Sequence, residues 1–367
     1  MTGRERFLTA MNNGKADRLP CQVHSWLDYY LKTYLNGMDQ YQAYDFFNMD
    51  KVIYVGPTMQ YEEKDLANWQ KDFRELGQDD TGNHLWTERI TTPDGDLTSK
   101  GAWNQFTGWR TEYIIKSEAD FEIWNKYYPK PSKVDWTPVI QAKDRIGDQG
   151  IVRGGFYDFG QGAPWQSFCT LYGTEPAILA AMDNPEWIHY VLKSLVDRKI
   201  EAIEKGGKMA LDLIETGGGA ASSTVISPSF HREFCLPYDK MQHKAIHEIG
   251  GAKIVYHLCG GLMPMLDIVV ENGADGLETM TPPAMGGDCD LAEATRRVGD
   301  KLFFIGGFDQ SKGFEKGNPA VVREMVKQLH AACPDGGYIC SPSDHFFFGD
   351  PENVRAFAET AKECLYD

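Results

Sequence analysis

The chain has 367 residues, of which 42% are hydrophobic and 25% charged, and its net charge is −16. This composition is typical of a folded globular protein, and the acidic balance argues against nucleic acid or an anionic membrane surface as a partner. No apolar run is long enough to cross a bilayer, and the charged N-terminus "MTGRERFLTAMNNGK" lacks the apolar core of a signal peptide. We therefore expect a cytoplasmic enzyme whose eight scattered cysteines are reduced.

The order of predicted elements indicates an α/β fold. The N-terminal segment predicts a helix, with Thr2 and Glu5 at capping-box spacing. Eight short apolar runs that end in glycine or a polar residue predict strands, and they begin at Leu19, Lys51, Ile151, Met209, Ala252, Ala274, Leu302 and Gly336. Helical patterns separate the later runs, at 227–249, 262–272, 291–298 and 320–332, and a last helix follows Pro351.

Eight strands alternating with helices predict one domain over residues 1–367, a (β/α)8 TIM barrel with a closed parallel sheet. An open doubly wound sheet is the alternative, but no glycine-rich phosphate-binding motif follows an early strand. Residues 57–150 break the alternation. Within them "HLWTERITTPDGDLTSKGAW" predicts a β-hairpin around a Pro-Asp-Gly turn. We interpret this segment as an insertion after the second strand that caps the substrate site.

Polar residues stand where several predicted strands end, which is where barrel enzymes carry their chemistry. His257 and Cys259 are two residues apart on one strand, so both side chains point to one face. A packed core histidine and thiol are the alternative interpretation. Cys340 ends the last strand and is expected in the same layer. One histidine and two cysteines suit zinc and leave one coordination position open, which Glu278 is expected to fill.

Further candidates lie at the same predicted face. Glu215 and Asp309 are candidate catalytic carboxylates, although a carboxylate at a strand end can equally hold a helix N-terminus. Asp344 is a candidate for a hydrogen bond to a metal ligand. The residues expected to bind substrate are mostly aromatic, and they are His24, Trp26, Phe156, Tyr157, Trp165 and His345.

Several segments resemble the uroporphyrinogen decarboxylase superfamily. They are "TGRERFLTAMNNGKADRLP", "SPSFHREFCLPYDKMQHKAIHEIGGAKIVYHLCGG", "ENGADGLETM" and "FFIGGFDQ". The decarboxylases of that superfamily use no metal and bind a tetrapyrrole through arginines after the first strand, where this chain reads "HSWLDYYLKTYL" without arginine. The cobamide-dependent methyltransferases carry a His-x-Cys zinc motif with a distant cysteine, which His257, Cys259 and Cys340 match, and a carboxylate near the position of Glu278.

The resemblance implies a zinc-dependent methyltransferase. Such an enzyme moves a methyl group between a small methylated substrate and the cobalt of a corrinoid (cobalamin), which a separate partner protein carries. The aromatic residues favour an aryl methyl ether as methyl donor, and hence O-demethylation. Two thiolate ligands favour instead the activation of an acceptor thiol similar to coenzyme M, because thiolates weaken zinc as a Lewis acid. Uroporphyrinogen decarboxylation and a barrel protein without catalytic activity are the remaining alternatives.

Overall fold

The structure is a computed structural model, and it describes residues 1–156 and 161–367. Its strands in chain order are β1 (Lys51–Tyr54), β2 (Thr58–Tyr61), β3 (Gln70–Gln78), β4 (His84–Thr92), β5 (Gly95–Trp103), β6 (Gly108–Glu112), β7 (Pro131–Asp135), β8 (Gly150–Gly154), β9 (Leu213–Gly217), β10 (Lys253–His257), β11 (Gly276–Thr279), β12 (Phe303–Phe308) and β13 (Tyr338–Pro342). Seven of them form one parallel sheet in the order β1-β8-β9-β10-β11-β12-β13. A parallel sheet that follows chain order, with helices in the connections, confirms the TIM-barrel type of fold.

The first predicted strand, from Leu19, is wrong as a strand: within it only Cys21 forms a β-bridge, to Cys340 of β13, and the bridge is parallel. The Gln22 amide donates to the Cys340 carbonyl, and the Cys340 amide donates to the Pro20 carbonyl, each over 2.9 Å. Proline has no N–H, so this segment cannot extend the ladder backwards through Pro20. The segment still stands beside β13, where the first strand of a barrel belongs.

The helices fill the connections of the barrel. They are α1 (Gly3–Met11), α2 (Asp28–Tyr34), α3 (Gln40–Phe46), α4 (Glu63–Ala67), α5 (Glu118–Tyr127), α6 (Thr137–Ile146), α7 (Pro164–Tyr172), α8 (Thr174–Asp183), α9 (Pro185–Gly206), α10 (Pro228–Phe234), α11 (Leu236–Ala245), α12 (Leu266–Asn272), α13 (Leu291–Val298), α14 (Pro319–Ala332) and α15 (Pro351–Glu363). The capping box of Thr2 and Glu5 is confirmed. No helix of the described residues has the length and apolarity needed to span a membrane.

The helix predicted over 227–249 is divided in two. α10 ends at Phe234, and α11 begins at Leu236 with Pro237 in its first turn. A proline in a first turn is tolerated because its missing N–H has no helical partner there, whereas within one continuous helix it would remove a hydrogen bond. The prediction over 291–298 is confirmed by α13.

The inserted segment forms a separate antiparallel sheet with the order β3-β4-β5-β6, and β2 pairs with β7 beside it. The predicted hairpin is confirmed as β4 and β5, with Thr92 opposite Gly95 across the turn. The segment also contains the helix that precedes barrel strand β8, because α6 ends at Ile146 and β8 begins at Gly150. The role of this segment as a substrate cap stays a prediction.

Candidate active site at the mouth of the barrel

Four charged or titratable side chains from neighbouring strands meet inside the barrel. Arg153 lies on β8, Glu215 on β9, His257 on β10 and Glu278 on β11. Glu215 stands opposite Val255, and His257 stands opposite Glu278. Because alternate residues of a strand share a face, this register directs Glu215, His257 and Glu278 to the same side of the sheet.

His257 uses both nitrogens of its ring. Its Nδ1 lies 3.0 Å from Glu278 Oε1 and 3.4 Å from Glu215 Oε1, and its Nε2 lies 2.7 Å from Cys259 Sγ. Glu278 and Cys259 are therefore on opposite edges of one imidazole. Glu278 thus occupies the Nδ1 edge of the ring, and the Nε2 edge is the one that faces the thiol.

Arg153 supplies the positive charge of the cluster. Its Nη2 donates to Glu215 Oε2 and to both carboxylate oxygens of Glu278, each over 2.9 Å. Arg153 and Glu278 are fully buried, and the guanidinium lies 4.7 Å from the centre of the Tyr54 ring. Among the described residues, Arg153 Nε and Nη1 and the Tyr54 hydroxyl have no hydrogen-bond partner. The cluster thus pairs its carboxylates and keeps unused donors beside them.

Burial and neighbouring charges shift the pKa values of this cluster in opposite directions. Burial lowers the pKa of His257, but the charge and hydrogen bond of Cys259 and the two carboxylates outweigh it and raise that pKa well above its ordinary value. Burial raises the pKa of Glu278, and the Arg153 charge and the His257 hydrogen bond overcome this and hold it below its ordinary value. Burial, with repulsion from Glu278, raises the pKa of Glu215. Of the two carboxylates, Glu278 is thus the one that favours the ionised form and Glu215 the one closer to accepting a proton.

A second group of possible ligands stands beside the first. His24, Asp344 and His345 place one ligand atom each within 4.8 Å of the others. The His24 ring centre lies 5.4 Å from that of His257 and 5.0 Å from that of His345. His24 is buried, and His345 Nδ1 has no hydrogen-bond partner among the described residues. The predicted site residues His24 and His345 therefore do lie next to His257.

The structure does not bring Cys340 to this cluster, contrary to the expectation of a shared layer. His257, Glu278, Ile305 and Ile339 stand opposite one another across four strands. Cys340 follows Ile339, so its side chain points to the other side of the sheet. There the buried thiol has Tyr338, Cys21 and Cys364 as its neighbours.

The other predicted polar residues have different places. Glu278 meets Nδ1 of His257 rather than the edge that faces Cys259, and its role as a metal ligand stays a prediction. Glu215 belongs to the cluster, as expected. Asp309 follows β12, and its Oδ1 accepts from the Lys312 amide. Asp309 thus holds the start of a helical turn, which is the structural alternative for this residue.

The predicted aromatic residues mostly serve packing. Trp26 stacks on Phe47 with ring centres 5.7 Å apart. Phe156 stacks on Trp136, and buried Trp165 donates from Nε1 to the Ala220 carbonyl over 3.1 Å. Tyr157 lies outside the described residues. None of the three described rings has a ring contact with His257 or His24 among the described residues, so their role as substrate-binding residues stays a prediction.

Arg153 is a residue of the site that the sequence pattern did not predict. It stands in "IVRGG", inside a run interpreted as a buried strand. A charged residue in a buried strand must find an opposite charge, because an unpaired buried charge is too costly to keep. That requirement, applied to this run, predicts an acidic partner for Arg153 without identifying it.

The donor set of His257 and Cys259 fits a zinc ion. Neutral Nε2 and a thiolate are preferred zinc ligands, and here both point to the same place. Glu278 on Nδ1 is the carboxylate that commonly orients a metal-binding histidine. Glu215, His257 and Glu278 form another possible group, but Arg153 already neutralises those carboxylates. The Cys259 edge of the His257 ring carries no such ion pair among the described residues.

Comparison with known proteins adds the family. The model of the family described as uroporphyrinogen decarboxylase (URO-D) matches residues 159–364. A uroporphyrinogen decarboxylase of Pseudomonas putida is 28% identical over 302 residues, which cover 76% of this chain and 77% of the relative. One of Pseudomonas entomophila is 29% identical over 301 residues, with the same coverage. A solved structure, a methyltransferase from Methanosarcina mazei, superimposes with a TM-score of 0.65 over 99% of each chain at 11% identity, which shows a shared fold.

Proposed function

The chain belongs to the uroporphyrinogen decarboxylase family, and within that family we propose that it is a zinc-dependent methyltransferase rather than a decarboxylase. The methyl group moves from a small methylated substrate to the cobalt of a corrinoid that a separate protein carries. The substrate we propose is an aryl methyl ether. The observation that supports this most directly is His257, held by Glu278 on Nδ1 and facing the Cys259 thiol with Nε2.

His257 Nε2 and Cys259 Sγ would hold the zinc, with a further ligand from the neighbouring group of His24, Asp344 and His345. When bound, zinc supplies a Lewis acid that polarises the ether oxygen of the substrate. Replacing the expected Cys340 by an oxygen or nitrogen ligand changes the chemistry in one respect: a site with one thiolate is a stronger Lewis acid than a site with two. This removes part of the argument for thiol activation and favours cleavage of a methyl ether.

The transfer is an in-line displacement at the methyl carbon. The bond between carbon and oxygen would break with both electrons staying on the oxygen, which would leave as phenolate, and the corrinoid of the separate protein would supply the electron pair for the new bond to carbon. The role of this chain is to orient the reacting groups and to exclude competing reactions. Glu278 holds the His257 ring in one orientation, and Arg153 offsets the charge of the two carboxylates, which would otherwise repel each other and the departing phenolate.

Uroporphyrinogen decarboxylation is the second candidate function, because the curated relatives carry that name. Its substrate carries many carboxylates and requires free cationic groups. Inside this barrel the guanidinium of Arg153 is already engaged by Glu215 and Glu278. Arg153 and His257 are balanced by Glu215 and Glu278, so the cluster has no net positive charge to attract an anionic tetrapyrrole. The charges of the cluster therefore favour the methyltransferase.

The decisive experiment offers the purified, zinc-loaded protein free cob(I)alamin and a panel of methoxyarenes, methylamines and methyl thioethers. Conversion of the cobalt(I) spectrum to that of methylcobalamin with a methoxyarene is the expected result. Cys289→Ser serves as the matched control, because Cys289 is a buried thiol outside the cluster. Formation of coproporphyrinogen from uroporphyrinogen, without any methyl transfer, would establish the decarboxylase instead.

A further inference from the structure

The inserted sheet is attached to the barrel at two separated places. Phe106, in the turn between β5 and β6, has its ring centre 4.9 Å from that of Tyr29 and 5.3 Å from that of Phe347. Further along β6, the Arg110 guanidinium donates from Nη1 to the Thr170 carbonyl of α7 over 3.2 Å. Phe347 follows shortly after Asp344 and His345, so the sheet reaches from α7 to the loop that carries these candidate ligands.

A cleft of about 420 Å³ lies between this sheet and α7. That volume is in the range of sites for small organic ligands. Its walls combine aromatic rings from the sheet with polar side chains from α7, among them Trp86, Trp109, Arg110, Tyr113, Gln166 and Thr170. Indole and phenol rings of this kind offer flat apolar surfaces on which an aromatic ring stacks.

Arg110 gives the cleft its charge. Its one hydrogen bond goes to a neutral carbonyl, its Nε is buried without a partner, and it forms no ion pair, all within the described ranges 1–156 and 161–367. None of the described side chains that line the cleft is acidic. A guanidinium with free donors next to aromatic rings matches a carboxylate, which it binds through paired hydrogen bonds.

The cleft lies next to the zinc-binding candidates. Gln166 lines the cleft, and its Oε1 accepts from the Ala220 amide over 3.0 Å. The same side chain packs so closely on Gly218 that a Cβ there would stand 2.3 Å from it. On the other side of this turn, a Cβ at Gly219 would be 3.6 Å from the Cβ of Cys259. One turn of chain, Gly218–Ala220, therefore separates the cleft from the Cys259 thiol.

We propose that this cleft binds an aromatic carboxylate, with its ring on the tryptophans and its carboxylate on Arg110. The cleft is a binding site separate from the cluster around His257, because Gln166 and the turn Gly218–Ala220 lie between the two. Arg110 is its specificity residue.

The test measures binding separately from methyl transfer. Benzoate is titrated into the full-length protein and followed by tryptophan fluorescence and calorimetry. We expect saturable binding that weakens at least about tenfold in Arg110→Met, because a charged hydrogen-bonding partner is lost. Arg89→Met is the matched control, because Arg89 is an exposed arginine of the same sheet that pairs with Asp96. Anisole, which lacks the carboxylate, is expected to bind at least about tenfold more weakly than benzoate.

Equal benzoate affinity in Arg110→Met and wild type overturns the proposal, and so does equal affinity for anisole and benzoate. If Arg110→Met does not fold by circular dichroism, Arg110→Lys replaces it, and this variant should bind more weakly than wild type because it lacks the planar fork. Because these measurements follow binding, their outcome does not depend on methyl transfer, and a failure of the proposed function leaves the ligand class of the cleft standing.

Discussion

Two strands of the barrel carry a cysteine that the sequence suggests as a zinc ligand, and their geometry differs. On β10, His257 is the last residue of the strand, and the half-buried Cys259 follows two residues later at the mouth. On β13, Cys340 is the middle residue, fully buried, and it faces away from the barrel interior. The comparison teaches that residue type alone does not identify a ligand at a barrel mouth. The residue must also lie close to the strand end, and its position along the strand must direct its side chain into the barrel.

The two thiols also differ in their surroundings. Burial raises the pKa of Cys340 well above its ordinary value, and Cys21 and Cys364, which are thiols themselves, are among its neighbours. Cys259 instead contacts the Nε2 of a histidine whose other nitrogen meets Glu278. A thiol in an apolar environment keeps its proton, and only the thiolate binds zinc. The surroundings of Cys340 therefore disfavour it as a zinc ligand, as its geometry does.

The largest effect expected is the loss of zinc from Cys259→Ser. This variant removes the thiolate that faces His257 Nε2, so its zinc content should fall to about a tenth of wild type or less after dialysis. Methyl transfer to cob(I)alamin should fall with it. Cys340→Ser changes a thiol on the other side of the sheet and should keep the wild-type content of about one zinc per chain. Elemental analysis of both proteins, purified under reducing conditions, gives the comparison.

The reverse pattern, with zinc lost from Cys340→Ser and kept in Cys259→Ser, would refute the place assigned to the metal. Asp344→Asn extends the test to the neighbouring group, and it should also lower zinc content if Asp344 replaces Cys340 as a ligand. Circular dichroism of each variant shows whether a loss of zinc follows from a loss of fold.

The second prediction concerns stability. Arg153→Met leaves Glu215 and Glu278 without their positive partner in a buried cluster. Removing one side of a buried ion pair costs about 3–5 kcal/mol of the free energy of unfolding. Urea denaturation of the metal-free protein measures it. Arg89→Met breaks an exposed pair on the inserted sheet and should cost less than about 1 kcal/mol. Equal losses in the two variants would show that the cluster is not a buried charge network.

Much of this architecture is readable from the sequence, because it depends on local pattern. Seven apolar runs became the parallel sheet, and the i, i+2 spacing of His257 and Cys259 placed both at the mouth. The place of Cys340 was missed because it depends on register. Ile339, not Cys340, stands opposite Ile305, and this pairing forms between strands about thirty residues apart. A shift by one residue moves a side chain to the other face, and no local pattern reveals it.

Contacts between distant segments were out of reach for the same reason. Arg153 meets Glu278 across 125 residues of chain. The sequence contains each residue without the pairing, and only the requirement that a buried charge be compensated connects them. The aromatic residues illustrate the opposite error: Phe156 and Trp165 were rightly expected near barrel loops, but packing against Trp136 and the Ala220 turn explains their burial.

The third prediction tests how the carboxylate supports the histidine. Glu278→Gln keeps the size of the side chain but removes the charge that fixes the proton on His257 Nδ1. Changes of such a supporting group lower metal affinity by about 10–100-fold. Competition with a chelator of known affinity measures this shift. If the zinc affinity falls as far as in Cys259→Ser, Glu278 is a direct zinc ligand. The assignment of Glu278 to a supporting role at Nδ1, with the metal at Nε2, would then be wrong.

The smallest effect concerns the outer face of β10, which contrasts with its charged inner face. The Tyr256 hydroxyl donates to Asp239 Oδ2 over 2.7 Å, and burial raises the pKa of Asp239 to about 7 from an ordinary 3.8. Between these values the folded protein holds a proton that the unfolded chain has released. The free energy of unfolding therefore falls as the pH rises through this window, by about 1 kcal/mol per pH unit.

Asp239→Asn cannot ionise, so this contribution should disappear, and the difference in unfolding free energy between variant and wild type should change steadily between pH 5 and 7. Urea titrations at three pH values measure it, with the exposed Asp267→Asn as control. Parallel pH profiles for Asp239→Asn and wild type would mean that Asp239 is already ionised in the fold. A charge would then lie on each face of β10, and the electrostatic potential at the inner cluster would no longer come from the residues at the barrel mouth alone.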